Sequence, residues 1–236
     1  MEKETFQMNG EKKMAFSINK RLSGYAVPLI ILILLAIVLS FVTDSFLTYE
    51  NIFNLLRSTA VYGIVAIAMT FVIITGGIDL SVGTHVGLAG MIVAILIIQA
   101  GMNMWLAMLI AIAACALVGF LNGVMVYDGK LPPFIATLGS LTITRAVIML
   151  ISNARNITGF DKISPEFLQI AKTTLGVRVT DANGAGTTYG VPLMALAWIV
   201  VILVAYFIVK KTIFGRSIFA VGSNMEAARL SGISLR

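Results

Sequence analysis

Six hydrophobic stretches divide the chain, and short polar, glycine-containing or proline-containing segments separate them. The stretches are Tyr25–Thr43, Ala60–Thr75, Thr84–Ala100, Met104–Val126, Pro133–Ile151 and Val191–Val209. A straight helix needs about 20 apolar residues to cross a bilayer. The pattern therefore predicts an all-α fold, a polytopic membrane bundle of about six transmembrane helices.

The composition excludes an ordinary soluble domain, because 58% of the residues are hydrophobic and only 12% are charged, against roughly 25% charged in soluble domains. The net charge of +6 lies mainly in the polar ends, so we interpret it as a topology signal and expect no nucleic acid partner. The single cysteine, Cys115, allows no intrachain disulfide. The single histidine, His85, has no Cys or carboxylate at ligand spacing. We expect no metal site, and expect His85 to bond a neighbouring backbone.

Lysine and arginine positions predict the orientation. With the N-terminus inside, eleven lie in inner segments and five in outer ones: Lys3, Lys12, Lys13, Lys20, Arg21, Lys130, Lys210, Lys211, Arg216, Arg229 and Arg236, against Arg57, Arg155, Lys162, Lys172 and Arg178. The positive-inside rule then places both termini of a multi-pass membrane protein in the cytoplasm. The predicted organisation is a cytoplasmic tail (1–24), a transmembrane domain (25–209) with an outer loop (152–190), and a cytoplasmic segment (210–236).

Two features stand out in the outer loop. Ser164-Pro165-Glu166 has the pattern of a helix start, which predicts a short amphipathic helix on the outer face. Thr180 to Gly190 is rich in Gly, Thr and Asn, which predicts a turn-rich connector.

The segment Gly76-Gly77-Ile78-Asp79-Leu80-Ser81-Val82-Gly83 interrupts two apolar runs. Gly76, Gly77 and Gly83 predict a structural turn, since glycine adopts positive φ at little cost. Asp79 or Ser81 is expected to cap the next helix. Both flanking runs are short for a span, so one interpretation is a break inside the membrane layer at a transport site. The other is a tight, capped turn between two ordinary spanning helices.

Polar residues inside the apolar stretches are candidates for a substrate pathway. Three hydroxyl residues share one helical face at i, i+3 and i+7: Thr137, Ser140 and Thr144. Such a row suits a polyol such as a sugar, but it equally suits bonds to the preceding turn or a neighbouring helix. Arg145 needs a cavity, a partner or the interface. Asp79 is its candidate counter-charge, and Asn122 is a further polar candidate.

Several catalytic motifs are absent from the sequence, including G-x-x-x-x-G-K-[ST], H-E-x-x-H and G-x-S-x-G. We therefore expect no catalytic residues, no ATPase site and no cofactor bound by this chain.

The cytoplasmic end contains a predicted short helix. Ser223 and Glu226 match a capping box, and Gly232 is placed as a C-terminal cap. A helix of about eight residues is marginal alone in water, so it is expected to dock through Met225, Ala228 and Leu230 with charges at Glu226 and Arg229. The alternative is an ordinary connector before another membrane segment.

The chain resembles the ribose-type sugar ABC importer permeases in four segments. These are Gly76-Gly-Ile-Asp-Leu-Ser-Val-Gly83, Pro133-Phe-Ile-Ala-Thr-Leu-Gly139, Thr144-Arg145 and Gly222-x-Asn-x-x-Ala-Ala-Arg-Leu-Ser-Gly-Ile233. They occur in the family's order and spacing, from about the first membrane helix to the last residue. One departure is Ala146, where the family often has Gly, which puts only local helix packing in doubt.

The resemblance implies that two permease copies form a pore in the inner membrane, in contact with lipid. It implies that a cytoplasmic ATPase docks on 223–231 and uses the ATP, and that an extracytoplasmic binding protein delivers a monosaccharide. The implied coupling residues are Ser223, Glu226, Ala227, Ala228, Arg229, Leu230 and Gly232. The family continues beyond this point, so we expect a truncated or split chain that does not transport alone.

Two other functions remain open on the residues. One is an ion- or proton-coupled carrier that uses Asp79 and Arg145 as its coupling pair. The other is a non-transporting membrane scaffold. Pentose, hexose, polyol and signalling furanose are all compatible with hydroxyl-lined helices.

Overall fold

The computed structural model describes residues 26–159, 163, 165–180 and 186–234, so the tail at 1–24 lies outside the described residues. Its helices are α1 (Ala26–Val42), α2 (Tyr49–Ile74), α3 (Val82–Ala94, continued by a π-helical turn over Ile95–Gln99), α4 (Met104–Tyr127), α5 (Pro133–Ile151), α6 (Pro165–Lys172), α7 (Leu193–Lys211), α8 (Ile213–Ser223) and α9 (Met225–Leu230). Its strands are β1 (Thr174–Thr180) and β2 (Gly186–Pro192).

The helical membrane fold predicted from the sequence is confirmed. Among the described residues, five helices are long and apolar enough to cross a membrane: α2, α3 with its π turn, α4, α5 and α7. The shorter α1 is also apolar, which makes a count of about six spans plausible. Large side chains such as Leu32, Phe41 and Ile112 are exposed, as expected of helices that face lipid.

The chain divides into two units, residues 1–55 and 56–236. The first contains α1 and the start of α2. Within the second, α3 packs on α4 and α5, and α8 packs on α7 and α9. The buried core here is built mainly from alanines: Ala60, Ala107, Ala111, Ala136, Ala195 and Ala228. Small residues let membrane helices approach closely, because their packing relies on van der Waals contact.

Several helix ends follow local rules. Asn103 caps α4, since its side-chain oxygen accepts a hydrogen bond from the backbone N–H of Trp105 at 2.9 Å. Pro133 occupies the first position of α5, where its missing N–H costs nothing. Residues 133–151 were predicted as a span with these same bounds.

The second span differs from its prediction. We expected it to begin at Ala60, but α2 begins at Tyr49 and has 26 residues. Polar residues in its first turns hid this start. Arg57, expected in an outer loop, lies inside α2, and its Nη2 donates to the Thr174 hydroxyl at 3.0 Å.

The segment 152–190, which was predicted to be an outer loop, contains more regular structure than we predicted. The expected amphipathic helix is present as α6, although its proposed cap, Ser164, lies outside the described residues. The connector prediction for Thr180–Gly190 is wrong for Thr180 and for 186–190, because β1 and β2 pair antiparallel from Thr174 opposite Pro192 to Thr180 opposite Gly186. Strand pairing supplies the backbone hydrogen bonds that a turn-rich segment would leave to water.

Candidate functional site

The interruption after α2 is a glycine-dependent helix cap. Gly76 has a φ of +80°, and its N–H donates to the carbonyl of Ile73 at 2.9 Å, while the N–H of Gly77 donates to the carbonyl of Val72 at 3.0 Å. This is the hydrogen-bond pattern of a Schellman motif. The turn prediction is confirmed for Gly76 and Gly77. It is wrong for Gly83, which lies in the first turn of α3.

A polar network follows the cap. Oδ1 of Asp79 accepts from both the backbone N–H and the hydroxyl of Ser81, at 2.7 and 2.6 Å. The Ser81 hydroxyl accepts in turn from Nδ2 of Asn122 on α4 at 3.0 Å. Ser81 is 0% and Asn122 6% exposed. The network therefore ties the non-helical segment to α4 through a buried amide–hydroxyl hydrogen bond, and Asp79 orients the Ser81 hydroxyl that accepts it.

The expected capping of α3 takes a different form. The Ser81 side chain makes no cap hydrogen bond to α3, because its hydroxyl already donates to Asp79 and accepts from Asn122. Asp79 bonds the N–H of Ser81, just before the helix, and not the first helical amides. Instead, the Ser81 carbonyl accepts hydrogen bonds from the N–H groups of Thr84 and His85.

Thr137 on α5 also forms hydrogen bonds to this non-helical segment. Its hydroxyl accepts from the N–H of Leu80 at 3.2 Å, lies 3.2 Å from the carbonyl of Ile78 and donates to the carbonyl of Pro133 at 2.8 Å. A break between membrane helices must have its backbone groups satisfied by protein or water. Thr137 provides part of this hydrogen bonding, so its role here is to stabilise the turn.

The hydroxyl row occupies one buried face of α5, as the spacing predicted: Thr137, Ser140 and Thr144. Arg145 is the next residue along and is exposed. Asp79 and Arg145 form no ion pair within 4 Å, and the pair Glu226–Arg229 is the ion pair found among the described residues. That the hydroxyl row, Asp79 and Arg145 contact a substrate stays a prediction.

His85 bonds its own helix. Its Nδ1 lies 2.8 Å from the carbonyl of Ser81, so Nδ1 is the protonated nitrogen. This agrees with the expected backbone role. Over the part of the chain that the structure describes, no group of three His, Cys, Asp or Glu residues is arranged to hold a metal ion.

The short helix predicted after the last apolar stretch is present as α9, with six residues and not eight. The capping-box prediction is wrong. Ser223 is the last residue of α8, and the cap is Asn224, whose side chain accepts from the N–H of Ala227 at 2.9 Å. Asn224 has the extended backbone, φ −157° and ψ 104°, that an N-cap requires. Ser223 has no such freedom because α8 continues through it.

The C-terminal cap of α9 is confirmed at Gly232, which has a φ of +80°. The N–H groups of Gly232 and Ile233 donate to the carbonyls of Arg229 and Ala228, at 3.0 and 3.1 Å, and complete a second Schellman motif. One face of α9 is buried at Ala228, whereas Met225 and Leu230 are exposed, Leu230 by 77%.

Glu226 and Arg229 form an ion pair on the exposed surface of α9. Two guanidinium nitrogens of Arg229 donate to the carboxylate, Nε at 3.1 Å and Nη2 at 2.5 Å. These hydrogen bonds raise the pKa of the Arg229 guanidinium.

The segment formed by α8 and α9 contacts the capped end of α2 directly. A methyl group added to Gly222 would overlap the backbone carbonyl of Ile74 and approach Thr75. No motif in the sequence indicated this contact, and α8 itself was expected only as basic chain. The Gly76 turn and α9 therefore lie at the same end of the bundle.

The polar network lies a short way inside this end. Asn122 is five residues from the end of α4 and Thr137 four residues from the start of α5, which corresponds to roughly 6–8 Å along each helix axis. The helix α2 has 26 residues, so the expectation of a short run before the turn is wrong, whereas α3 with its π turn has 18 residues, close to the expected run. Both are long enough to cross a membrane, which favours a capped turn between two spanning helices.

Comparison with known proteins assigns most of the chain to one family model. Residues 51–236 match the model described as the branched-chain amino acid transport system permease component. None of the solved structures matches the chain.

Several individual relatives are named as sugar permeases. The chain is 36% identical over 208 residues to the ribose import permease protein RbsC of Bacillus subtilis, covering 88% of this chain and 60% of the relative. It is 34% identical to the fructose import permease protein FrcC of Rhizobium meliloti, covering 90% and 57%. It is 30% identical to the xylose transport system permease protein XylH of Escherichia coli, covering 86% and 64%. The chain thus spans about 60% of the length of these relatives.

Proposed function

The chain belongs to the family of transport-system permease components, as its motifs predicted, and from this premise we propose that it is the membrane-spanning subunit of an ATP-driven monosaccharide importer. The similar permeases named for ribose, fructose and xylose support a sugar as the cargo. In this role the chain moves the sugar and a separate cytoplasmic ABC subunit hydrolyses ATP. Two permease copies and an extracytoplasmic sugar-binding protein complete the importer.

One observation carries the proposal: the contact between the α8–α9 segment and the end of α2. A six-residue helix is unstable alone in water, but α9 has both ends capped and one face buried. The rest of its surface leaves Met225, Leu230 and the Glu226–Arg229 pair exposed. A small apolar contact framed by charges suits a docked protein partner.

The same contact gives a physical route from the partner to the membrane. Movement of α9 acts on α8, and Gly222 of α8 has no space to move toward Ile74 without displacing the end of α2. That end leads directly into the Gly76 turn, which is bonded to α4 and α5 through Asn122 and Thr137. Rigid, contiguous contacts of this kind can transmit a conformational change.

The orientation follows within the proposal. The face that carries α8, α9, the Gly76 turn and the residues after α4 is the cytoplasmic one, because the ATPase is cytoplasmic and Lys130, Lys210 and Lys211 cluster there. The β1–β2 hairpin then lies outside, since α5 ends and α7 begins at the opposite end. The alternative of an ion-coupled carrier has no pair between Asp79 and Arg145 to support it.

The test is binding of the ABC ATPase subunit to the permease. A charge swap, Glu226→Arg with Arg229→Glu, keeps the ion pair within α9 but reverses the charges that a partner meets. We expect the swap to reduce co-purification of the ATPase and ATP-dependent sugar uptake. The matched control is Arg155→Glu at the opposite end of the bundle, which should leave ATPase binding unchanged. Normal binding and uptake in the swapped variant would refute the docking role of α9.

A further inference from the structure

A polar pocket lies at the end of the bundle away from α9. It has a volume of about 410 Å³ and is formed where the π turn of α3 ends and where the chain leaves α5. One isoleucine and six polar residues line it: Gln99, Ser152, Asn153, Arg155, Asn156 and Thr158. Ligand pockets commonly have volumes of roughly 300–1,000 Å³, so this one is large enough for a small molecule.

Both walls of the pocket have unusual backbone. On one side, α3 ends in a π-helical turn over Ile95–Gln99, closed by the N–H of Ala100 donating to the carbonyl of Ile95 at 3.2 Å. On the other, Asn153 and Ala154 have φ of 52° and 53°, which is costly for alanine. π turns and strained residues both concentrate at functional sites. Here they come from two separate segments and meet at one pocket.

The backbone on the α5 side is nevertheless well bonded. The N–H groups of Asn153, Ala154 and Arg155 donate to the carbonyls of Leu150, Met149 and Ser152, at 3.1, 2.7 and 3.0 Å. The main chain therefore uses its own donors, and the side chains of Asn153, Arg155 and Asn156 are exposed at the pocket. Their polar groups are available to a ligand.

The chemistry of the lining selects a class of ligand. Side-chain amides at Gln99, Asn153 and Asn156 each offer donors and an acceptor, and the Thr158 hydroxyl offers both as well. The Ser152 hydroxyl donates to the carbonyl of Met149 at 3.3 Å, so it offers an acceptor to a ligand. Sugar hydroxyls need donors and acceptors together. An anion would need mostly donors, and among the described residues that line the pocket Arg155 is the one cation. A branched-chain amino acid would need apolar surface, which Ile157 alone provides.

We propose that this pocket is a hydroxyl-binding site for a neutral monosaccharide at the outer mouth of the permease. The assignment rests on the proposed function for its orientation and cargo. A sugar released at the outer face occupies the pocket before it enters the membrane pathway. The site thus adds a binding step, distinct from the polar network at the Gly76 turn.

Cysteine protection tests the site directly. In the full chain with Cys115→Ala, which removes the native thiol, Asn156→Cys and Gln99→Cys place a thiol on each wall. The matched control is Ala154→Cys, an exposed residue of the same turn that does not line the pocket. Cells that express each variant are treated with a membrane-impermeant maleimide, with and without D-ribose, D-xylose or D-fructose.

We expect all three thiols to react from outside. One of the sugars should slow modification at positions 156 and 99, by roughly tenfold at ten times its Kd, and leave position 154 unaffected. Equal rates with and without every sugar, protection of all three positions alike, protection by inorganic phosphate or L-leucine instead, or no reaction from outside would each overturn the proposal. Loss of ATPase binding or uptake in the α9 variants tests the proposed function separately, since labelling needs neither.

Discussion

Replacing Gly76 with alanine should destabilise the chain through its backbone and not through a clash. A Cβ at Gly76 meets no atom within 4 Å, but the residue has a φ of +80°. An L-residue there costs roughly 1–2 kcal/mol, and the reduced entropy of the unfolded chain recovers roughly 0.4–1 kcal/mol. We therefore expect a net loss of about 1 kcal/mol in the free energy of unfolding.

Gly83→Ala is the matched control, since it makes the same chemical change in the same motif. Gly83 has helical backbone in the first turn of α3, and a Cβ there also meets no atom within 4 Å. Alanine in place of a helical glycine stabilises by roughly 0.5–1 kcal/mol. The two variants should thus shift stability in opposite directions, about 1.5–2 kcal/mol apart.

The assay is reversible unfolding of the purified chain in mixed micelles by titration with a denaturing detergent, followed by circular dichroism. Gly76→Asn provides a further check, because asparagine tolerates the left-handed region better than alanine does. The free energy of unfolding of Gly76→Asn should lie between those of the wild type and Gly76→Ala. Equal destabilisation by Gly76→Ala and Gly83→Ala, or none by Gly76→Ala, would refute the assignment of the cap to Gly76.

Three other predictions use the same titration. Ser81→Ala and Asn122→Ala should each destabilise, and their double-mutant cycle should give a coupling energy of roughly 0.6–2 kcal/mol because their side chains hydrogen-bond; additive effects would show that the bond contributes nothing. Gly222→Ala should cost roughly 1–3 kcal/mol through overlap with backbone, and a neutral result would contradict the close approach of α8 to α2. Asn224→Ala should cost about 1 kcal/mol and Ser223→Ala much less; the reverse order would restore the capping box.

Local physical rules were enough to predict much of the fold from the sequence. The lengths of the apolar runs gave the spans, and α5 has the predicted bounds because Pro133 starts it. Gly76 and Gly232 were identified as helix ends since few other residues adopt their positive φ. The family was also visible in the sequence, because its motifs are long and occur in a fixed order.

Predictions failed where two local signals competed. Ser223 and Asn224 are both good N-caps, and only the extent of α8 decides which one is free to cap α9. The paired strands were missed although Leu175, Val177 and Val179 alternate as strand residues do, because the Gly, Thr and Asn content of the next residues favoured a turn-rich connector. Polar residues at the start of α2 obscured its first eleven residues, 49–59, so the predicted stretch began at Ala60.

The order of apolar and polar residues was enough to predict that this chain crosses a membrane, where two of its helices end, and which residues inside the helices are polar. The contacts of those polar residues became known from the packed helices. Ser81 meets Asn122 41 residues away, and Leu80 meets Thr137 57 residues away. Gly222 meets Ile74 at a still greater separation. The physical reason is that hydrogen bonding and close packing depend on which helices become neighbours, and no local pattern encodes that choice.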